Sequence, residues 1–218
     1  MRASRLVLPA RVAVVFIACA ALAVASTAHA QIWNEAGDAG DQIATAQLTS
    51  GSGNITQING SLPLSDDVDV YCVQLNASPP GGLPIVSLQC VVNQGPDVYL
   101  FGPTGLGVVT NYSCVGGAKQ LLAPTGSLPP GNYYVAVAYY GRDPNSALGP
   151  IWLPALPNQR TPDGPGAAAP LSAWLGIVQQ NPLNPYTITL NPNYFVYCDQ
   201  PVPIRRSTWG SLKLHYGS

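Results

Sequence analysis

Hydrophobic and polar residues alternate along several short stretches of the chain, the pattern of a β-strand with one face against a core. In residues 69–75, DVYCVQL, the alternation places Tyr71, Val73 and Leu75 on the same face. Further stretches of strand-like composition are residues 85–92, 98–101, 133–139, 186–190 and 194–198. Turns rich in glycine and proline separate them, and no window carries a sustained helical period with caps. The pattern predicts an all-β domain built as two packed antiparallel sheets, a β-sandwich.

The first thirty residues differ from the rest of the chain. A basic start is followed by the apolar run 12–25 and by Ala28-His29-Ala30, a small-x-small pattern that signal peptidase recognises. The run is shorter than the roughly 20 residues needed to span a bilayer. Residues 1–30 are therefore a predicted signal peptide, cleaved before Gln31, and the mature chain is predicted to be secreted or held at the cell surface without a membrane span. We assign the domain to residues 31–190 and a C-terminal extension to residues 191–218.

Charge argues against a nucleic-acid partner. Residues 31–218 carry ten acidic and six basic side chains, a formal net charge of −4, and the basic residues form no stripe. Binding to nucleic acid depends on such a stripe to displace counterions from the phosphates. The many Val, Leu, Ile and Tyr residues also distinguish the chain from charged disordered proteins, and its length suits one domain with a sizeable core.

Four cysteines remain after cleavage, namely Cys72, Cys90, Cys114 and Cys198. An even number in an exported chain predicts two disulfides, and four cysteines permit three pairings. Their spacing contains no C-x-x-C unit, and His215 is the one histidine of the mature chain, so a zinc site is not indicated.

Acidic residues cluster in two loops. WNEAGDAGD contains Glu35, Asp38 and Asp41, and SDDVD contains Asp67 and Asp69 at the start of a predicted strand. Calcium prefers carboxylate and carbonyl ligands on flexible loops, so these five residues are the candidate metal ligands and calcium is the candidate cofactor. The alternative is turn chemistry, in which Asp and Asn side chains bond their own backbone.

No catalytic constellation is apparent. A Ser-His-Asp or Cys-His site requires a histidine placed by the fold, whereas His215 lies near the C-terminus and the cysteines are assigned to disulfides. The pair Glu35 and Asp67 offers the one alternative, a carboxylate-based hydrolase acting on a glycosidic bond. We therefore predict that the chain is not an enzyme.

Trp152 and Trp174 flank a segment rich in proline and glycine. Tryptophans on exposed loops stack against sugar rings or anchor protein partners, which makes them the candidate ligand-binding residues for an extracellular glycan or protein. Core or loop packing is the competing interpretation. The competing function is a structural envelope or matrix component without a ligand pocket.

The order of several motifs resembles the bacterial pre-peptidase C-terminal domain family of secreted and surface proteins. The motifs run from WNEAGDAGDQIATAQ through ITQINGSL, DDVDVYCVQL and DVYLFGPTGLGV to LPPGNYYVAV and NPYTITL. The resemblance covers about residues 33–190 and implies a jelly-roll-like β-sandwich, which in this family occurs both as an appendage of secreted proteases and as a free-standing domain. Some relatives bind calcium, and collagen-binding modules among them bind matrix protein.

The C-terminal extension has a different character from the acidic domain. After Cys198 it carries a Pro-x-Pro spacer and then Arg205, Arg206, Lys213 and His215 among aromatic residues. Two interpretations stay open, a docked strand with a short helix from Ser207, and a sorting or attachment tail.

Overall fold

The computed structural model describes residues 31–64, 67–90, 95–126, 128–153, 158–176 and 185–198. In these ranges the chain is all-β. Its strands are β1 (Gln31–Asn34), β2 (Gln47–Leu48), β3 (Ile55–Gly60), β4 (Val68–Leu75), β5 (Pro84–Gln89), β6 (Asp97–Phe101), β7 (Gly107–Asn111), β8 (Ala118–Leu122), β9 (Gly131–Ala138), β10 (Asp143–Ser146), β11 (Gly149–Pro150), β12 (Gln159–Arg160), β13 (Leu171–Leu175), β14 (Tyr186–Leu190) and β15 (Phe195–Tyr197). All six strands predicted from alternation are present, which confirms those predictions.

The strands form two large sheets that face each other as a β-sandwich. The five-stranded sheet has the order β1-β3-β14-β5-β8. The seven-stranded sheet has the order β12-β7-β6-β9-β4-β15, and β2 also pairs with β4. Most neighbours are antiparallel as predicted, but β1 runs parallel to β3 and β2 runs parallel to β4.

The main core lies between the two large sheets. Strand β4 contributes Tyr71, Val73 and Leu75 to it, the face that alternation predicted, while Ile58 and Ile188 come from the opposing sheet. Each of these side chains is less than 6% exposed, so the facing surfaces exclude water. Burial of this apolar area supplies the main stabilisation of the sandwich.

A third, three-stranded sheet of order β11-β10-β13 was not predicted. Residues from this region, including Trp152 and Trp174, pack on the outer face of the seven-stranded sheet and form a second core with Val70, Tyr99 and Phe101. Every residue of β4 and β6 is consequently buried. A central strand that is covered on both faces usually consists of a nearly continuous run of apolar residues. The sequence of β6, DVYLF, is such a run after its first residue.

Two disulfides connect distant parts of the chain. Cys72 in β4 is bonded to Cys198, which follows β15, and Cys90 after β5 is bonded to Cys114 before β8. This confirms that the four cysteines pair and selects one of the three pairings. Disulfides of this kind are typical of proteins that fold in an oxidising compartment.

Strand β15 lies in the segment that sequence analysis assigned to the C-terminal extension, and it pairs with β4 at the edge of the seven-stranded sheet.

The predicted signal peptide at residues 1–30 and the extension after Cys198 lie outside the described residues. In the described part of the chain, no helix has the length and hydrophobicity needed to cross a membrane.

Candidate functional site

Three carboxylates meet where the N-terminal loop crosses the start of β4. Asp38, Asp67 and Asp69 each place an oxygen within 4.8 Å of the others, close enough to share one metal ion. Asp38 is exposed, Asp67 is half-buried and Asp69 is fully buried, so the group opens to solvent on the side of Asp38. We call these three residues the acidic triad.

The loop that carries Asp38 is held by the backbone of β4. Asp38 Oδ1 accepts a hydrogen bond from Gly40 N at 2.8 Å, and Val70 N donates to Gly40 O at 2.9 Å. Gly40 has φ 72°, and a Cβ there would lie 2.5 Å from the carbonyl oxygen of Thr45. Only glycine fits this turn, so the glycines of GDAGD are part of what brings Asp38 to the strand.

Asp69 lies on the inner face of β4, two residues before Tyr71, and reaches into the core. Its Oδ2 accepts a hydrogen bond from the hydroxyl of Tyr186 in β14, and the hydroxyls of Tyr186 and Tyr71 are 2.7 Å apart. Gly60 makes room for this pair, because a Cβ there would lie 2.3 Å from the hydroxyl oxygen of Tyr186. The tyrosines therefore fix the orientation of the Asp69 carboxyl group.

No N–H or O–H group of the described residues donates a hydrogen bond to Asp69 Oδ1, although Asp69 is 0% exposed. Burial raises the pKa of Asp69 to about 8; the hydrogen bond from Tyr186 opposes the rise, while the charges of Glu35 and Asp67 and a hydrogen bond between the protonated Asp69 and Glu35 add to it. A buried carboxylate beside other carboxylates requires a proton or a cation as a counter-charge. The acidic triad could supply the oxygen ligands for such a cation.

The structure brings together three of the five predicted ligands. Glu35 lies beside the triad, where its charge acts on Asp69, and its Oε2 accepts a hydrogen bond from Ser61 N at 2.8 Å. Asp41 lies outside the triad, since the loop turns at Gly40 and directs the Asp41 carbonyl oxygen to Trp174 Nε1 at 2.6 Å. Asp41 is therefore not one of the carboxylates that the structure brings within 4.8 Å of one another.

Sequence analysis did not single out Tyr71 and Tyr186 as parts of this site. The spacing of Asp69 and Tyr71 in DVY was the available signal, because residues two apart in a strand share a face. An inward-facing carboxylate next to an inward-facing tyrosine needs a polar partner from the opposing sheet. Tyr186 is that partner, and only the packing of the sheets identifies it.

Of the two interpretations of Trp152 and Trp174, ligand binding on exposed loops and core packing, the structure agrees with core packing. Their exposed fractions are 1% and 4%, and both rings pack against Tyr99 with centroid distances of 5.6 and 5.3 Å. The three-stranded sheet region carries both rings onto the outer face of the large sheet, where they bury apolar area. Neither ring face is open to a sugar or a protein partner in this structure.

An open groove lies between the end of β8 and β12, lined in part by Gln159, Arg160 and Asp163. Its polar groups are largely engaged with each other. The Gln159 amide bonds both the N–H and the carbonyl of Leu122, and Arg160 donates to the Leu153 carbonyl at 2.7 Å and pairs with Asp163. The groove therefore presents few free groups to a ligand, and none of the predicted site residues line it.

Comparison with known proteins does not identify a relative. No family model matches the chain, and no curated protein matches it.

Without a bound metal, the protein is expected to become less stable as the pH rises from about 4 to about 8. The unfolded chain releases the Asp69 proton near pH 3.8, whereas the folded protein retains it up to about pH 8. Between these values the folded state binds more protons, so the free energy of unfolding falls as pH rises. Denaturant unfolding in the presence of a chelator at several pH values measures the slope.

Asp69→Asn should reduce this slope, because an amide cannot ionise. Asp41→Asn is the control, since Asp41 lies outside the triad, and it should keep the wild-type slope. An unchanged slope in Asp69→Asn would show that the pH dependence comes from another group.

Proposed function

We propose that this chain is a secreted, non-catalytic β-sandwich module in which calcium, bound by the acidic triad, holds the N-terminal loop against β4. The observation that carries the proposal is the full burial of Asp69 in one group with two further carboxylates, Asp38 and Asp67. Exposed acidic clusters are common, but a fully buried carboxylate is costly unless a cation or a proton compensates its charge.

Calcium suits the site better than magnesium or zinc. The triad offers oxygen ligands alone, and the neighbouring Glu35 belongs to the same chemical class. Calcium accepts six to eight oxygen ligands in variable geometry, whereas magnesium requires a tight octahedron and zinc prefers nitrogen and sulfur. The open side at Asp38 leaves room for water to complete a calcium shell.

A structural role in an envelope or extracellular matrix is the better supported of the two roles that sequence analysis left open. Burial of Trp152 and Trp174 removes the residues that suggested a glycan- or protein-binding surface. Two disulfides, and a loop that a bound metal ion holds in place, raise the stability of a domain that works outside the cell. The resemblance to the pre-peptidase C-terminal domain family supports the same proposal, because that family includes free-standing sandwich domains.

Catalysis is not part of the proposal. Glu35 and Asp67, the pair considered for a hydrolase, both lie close enough to buried Asp69 to raise its pKa, and Glu35 already accepts a hydrogen bond from Ser61 N. No aromatic platform for a sugar lies open among the predicted ligand residues, since both tryptophans are buried. Glycosidase, esterase and peptidase assays on the mature protein should therefore remain at background.

Calcium is expected to raise the melting temperature by about 5–10 °C at a concentration roughly 100 times its dissociation constant. The ion binds the folded protein alone, since only folding brings Asp38 to Asp67 and Asp69. Chelation should reverse the shift, and magnesium should reproduce little of it. Differential scanning calorimetry of the full mature chain measures both effects.

Three variants sharpen this experiment. Asp38→Asn and Asp67→Asn should each abolish the calcium-induced shift, because each removes a ligand charge from a residue that is not fully buried. Asp41→Asn is matched to Asp38→Asn in loop and exposure but lies outside the triad, so its shift should equal that of the wild type. A melting temperature that calcium and chelator leave unchanged would refute the proposal, and the acidic loops would then serve backbone geometry alone.

A further inference from the structure

A buried lysine and a buried aspartate contact each other away from the acidic triad. Lys119 and Asp97 form an ion pair whose side chains are 3% and 1% exposed. Lysine is almost never fully buried in folded proteins, because its ammonium group loses its hydration there. Apart from Asp97, the Lys119 Nζ donates only to the Gly95 carbonyl oxygen, at 3.2 Å, among the described residues.

The pair joins the two large sheets. Asp97 begins β6 in the seven-stranded sheet, and Lys119 lies in β8 of the five-stranded sheet, in register with Leu88. The Cys90–Cys114 disulfide fastens the same region, and Cys90 N donates to the Gly117 carbonyl oxygen at 3.0 Å. Both side chains are therefore held in contact by two sheets and one covalent bond, and groups fixed in this way react with high effective molarity.

Burial favours the uncharged form of Asp97. Burial raises the pKa of Asp97 to about 7, and the charge of Asp143 adds to the rise, while the charge and hydrogen bond of Lys119 oppose it. Amide formation requires an uncharged amine and a carboxylic acid, and transfer of one proton from Nζ to the Asp97 carboxylate supplies both. These are the two reactants of an amide bond.

We infer that Lys119 and Asp97 become joined by an intramolecular isopeptide bond. The lone pair of the neutral Nζ attacks Asp97 Cγ, a C–O bond of the protonated carboxyl group breaks, and the hydroxyl leaves with one amine proton as water. The products are one amide and one water molecule, so no oxidant, reductant or cofactor takes part. The bond would tie β6 to β8 and would act beside the two disulfides as a cross-link that reduction does not break.

Trypsin gives a direct test, because Lys119 is the one lysine or arginine between Gln31 and Arg142. The mature protein is reduced, alkylated, denatured and digested, and the peptides are weighed by mass spectrometry. With the isopeptide bond, residues 31–142 should remain one peptide that is lighter than its sequence by one water molecule. Without the bond, trypsin should release residues 31–119 and 120–142 at their full masses.

Two controls exclude other sources of these signals. Lys119→Arg keeps a trypsin site but cannot form the same amide, so its digest should contain both separate peptides at full mass. Cyclisation of Gln31 removes ammonia rather than water, and high-resolution mass separates the two losses. Full cleavage after Lys119 in the wild-type protein, with no water lost, would overturn the inference, and this result does not depend on how any variant folds.

Discussion

Trp152→Ala should lower the free energy of unfolding by about 3–5 kcal/mol, the range for truncating a large buried aromatic side chain. The Trp152 ring is 1% exposed and lies within 5.6 Å of both Tyr99 and Phe101, measured between ring centroids. Its Nε1 also donates to the Arg160 carbonyl oxygen at 3.3 Å. Truncation therefore leaves a cavity between the three-stranded sheet region and the large sheet, and an unpaired carbonyl beside it.

Urea unfolding followed by far-ultraviolet circular dichroism measures this loss without relying on tryptophan fluorescence. Leu153→Ala is the matched control, because Leu153 is the next residue and is 45% exposed. Its free energy of unfolding should stay within about 0.5 kcal/mol of the wild type. Equal, small losses for both variants would mean that the Trp152 ring is not buried and that the second core does not form.

Removal of the Cys72–Cys198 disulfide should cost more stability than removal of Cys90–Cys114. The first bond spans 126 residues and the second spans 24. In the chain-entropy description, the longer loop restricts the unfolded state more, which gives roughly 5 kcal/mol for the first bond and roughly 3.5 kcal/mol for the second. Comparison of Cys72→Ala/Cys198→Ala with Cys90→Ala/Cys114→Ala in urea measures the difference.

Both double variants remove two sulfurs and leave no free thiol, so each controls for the other. A larger loss in Cys90→Ala/Cys114→Ala would contradict the loop-length argument. That result would show that the shorter bond stabilises mainly by holding the native contact between β5 and β8.

The strands of the two large sheets could be predicted because their pattern is local. Each inward-facing residue of β4 alternates with a residue on the other face, and alternation over seven residues is enough to indicate a strand. The β-sandwich follows from such strands together with frequent turns, since each apolar face must be covered. The short strands β10 to β13 lack this signal, because two to five residues among prolines and glycines resemble a loop.

The acidic triad could be predicted in part. Asp38, Asp67 and Asp69 were candidates because carboxylates are rare in this chain and cluster in two loops. Composition did not show which of Asp38 and Asp41, three residues apart in the same loop, would join the triad. The difference arises at the turn at Gly40, where Asp38 Oδ1 accepts from Gly40 N and Gly40 O accepts from Val70 N of β4, and only Asp38 joins Asp67 and Asp69.

The amino-acid sequence by itself determined the fold class, the strands of the sandwich and the oxygen-rich chemistry of the candidate metal site, because these depend on side-chain type and short-range periodicity. Tertiary structure alone decided which cysteines pair, which aspartates meet, that Trp152 and Trp174 are buried, and that Lys119 contacts Asp97. Each of these is a contact between residues far apart along the chain. Such contacts depend on the register of the strands and on how the two sheets stack. A local sequence pattern does not specify which residues of two facing sheets come into contact.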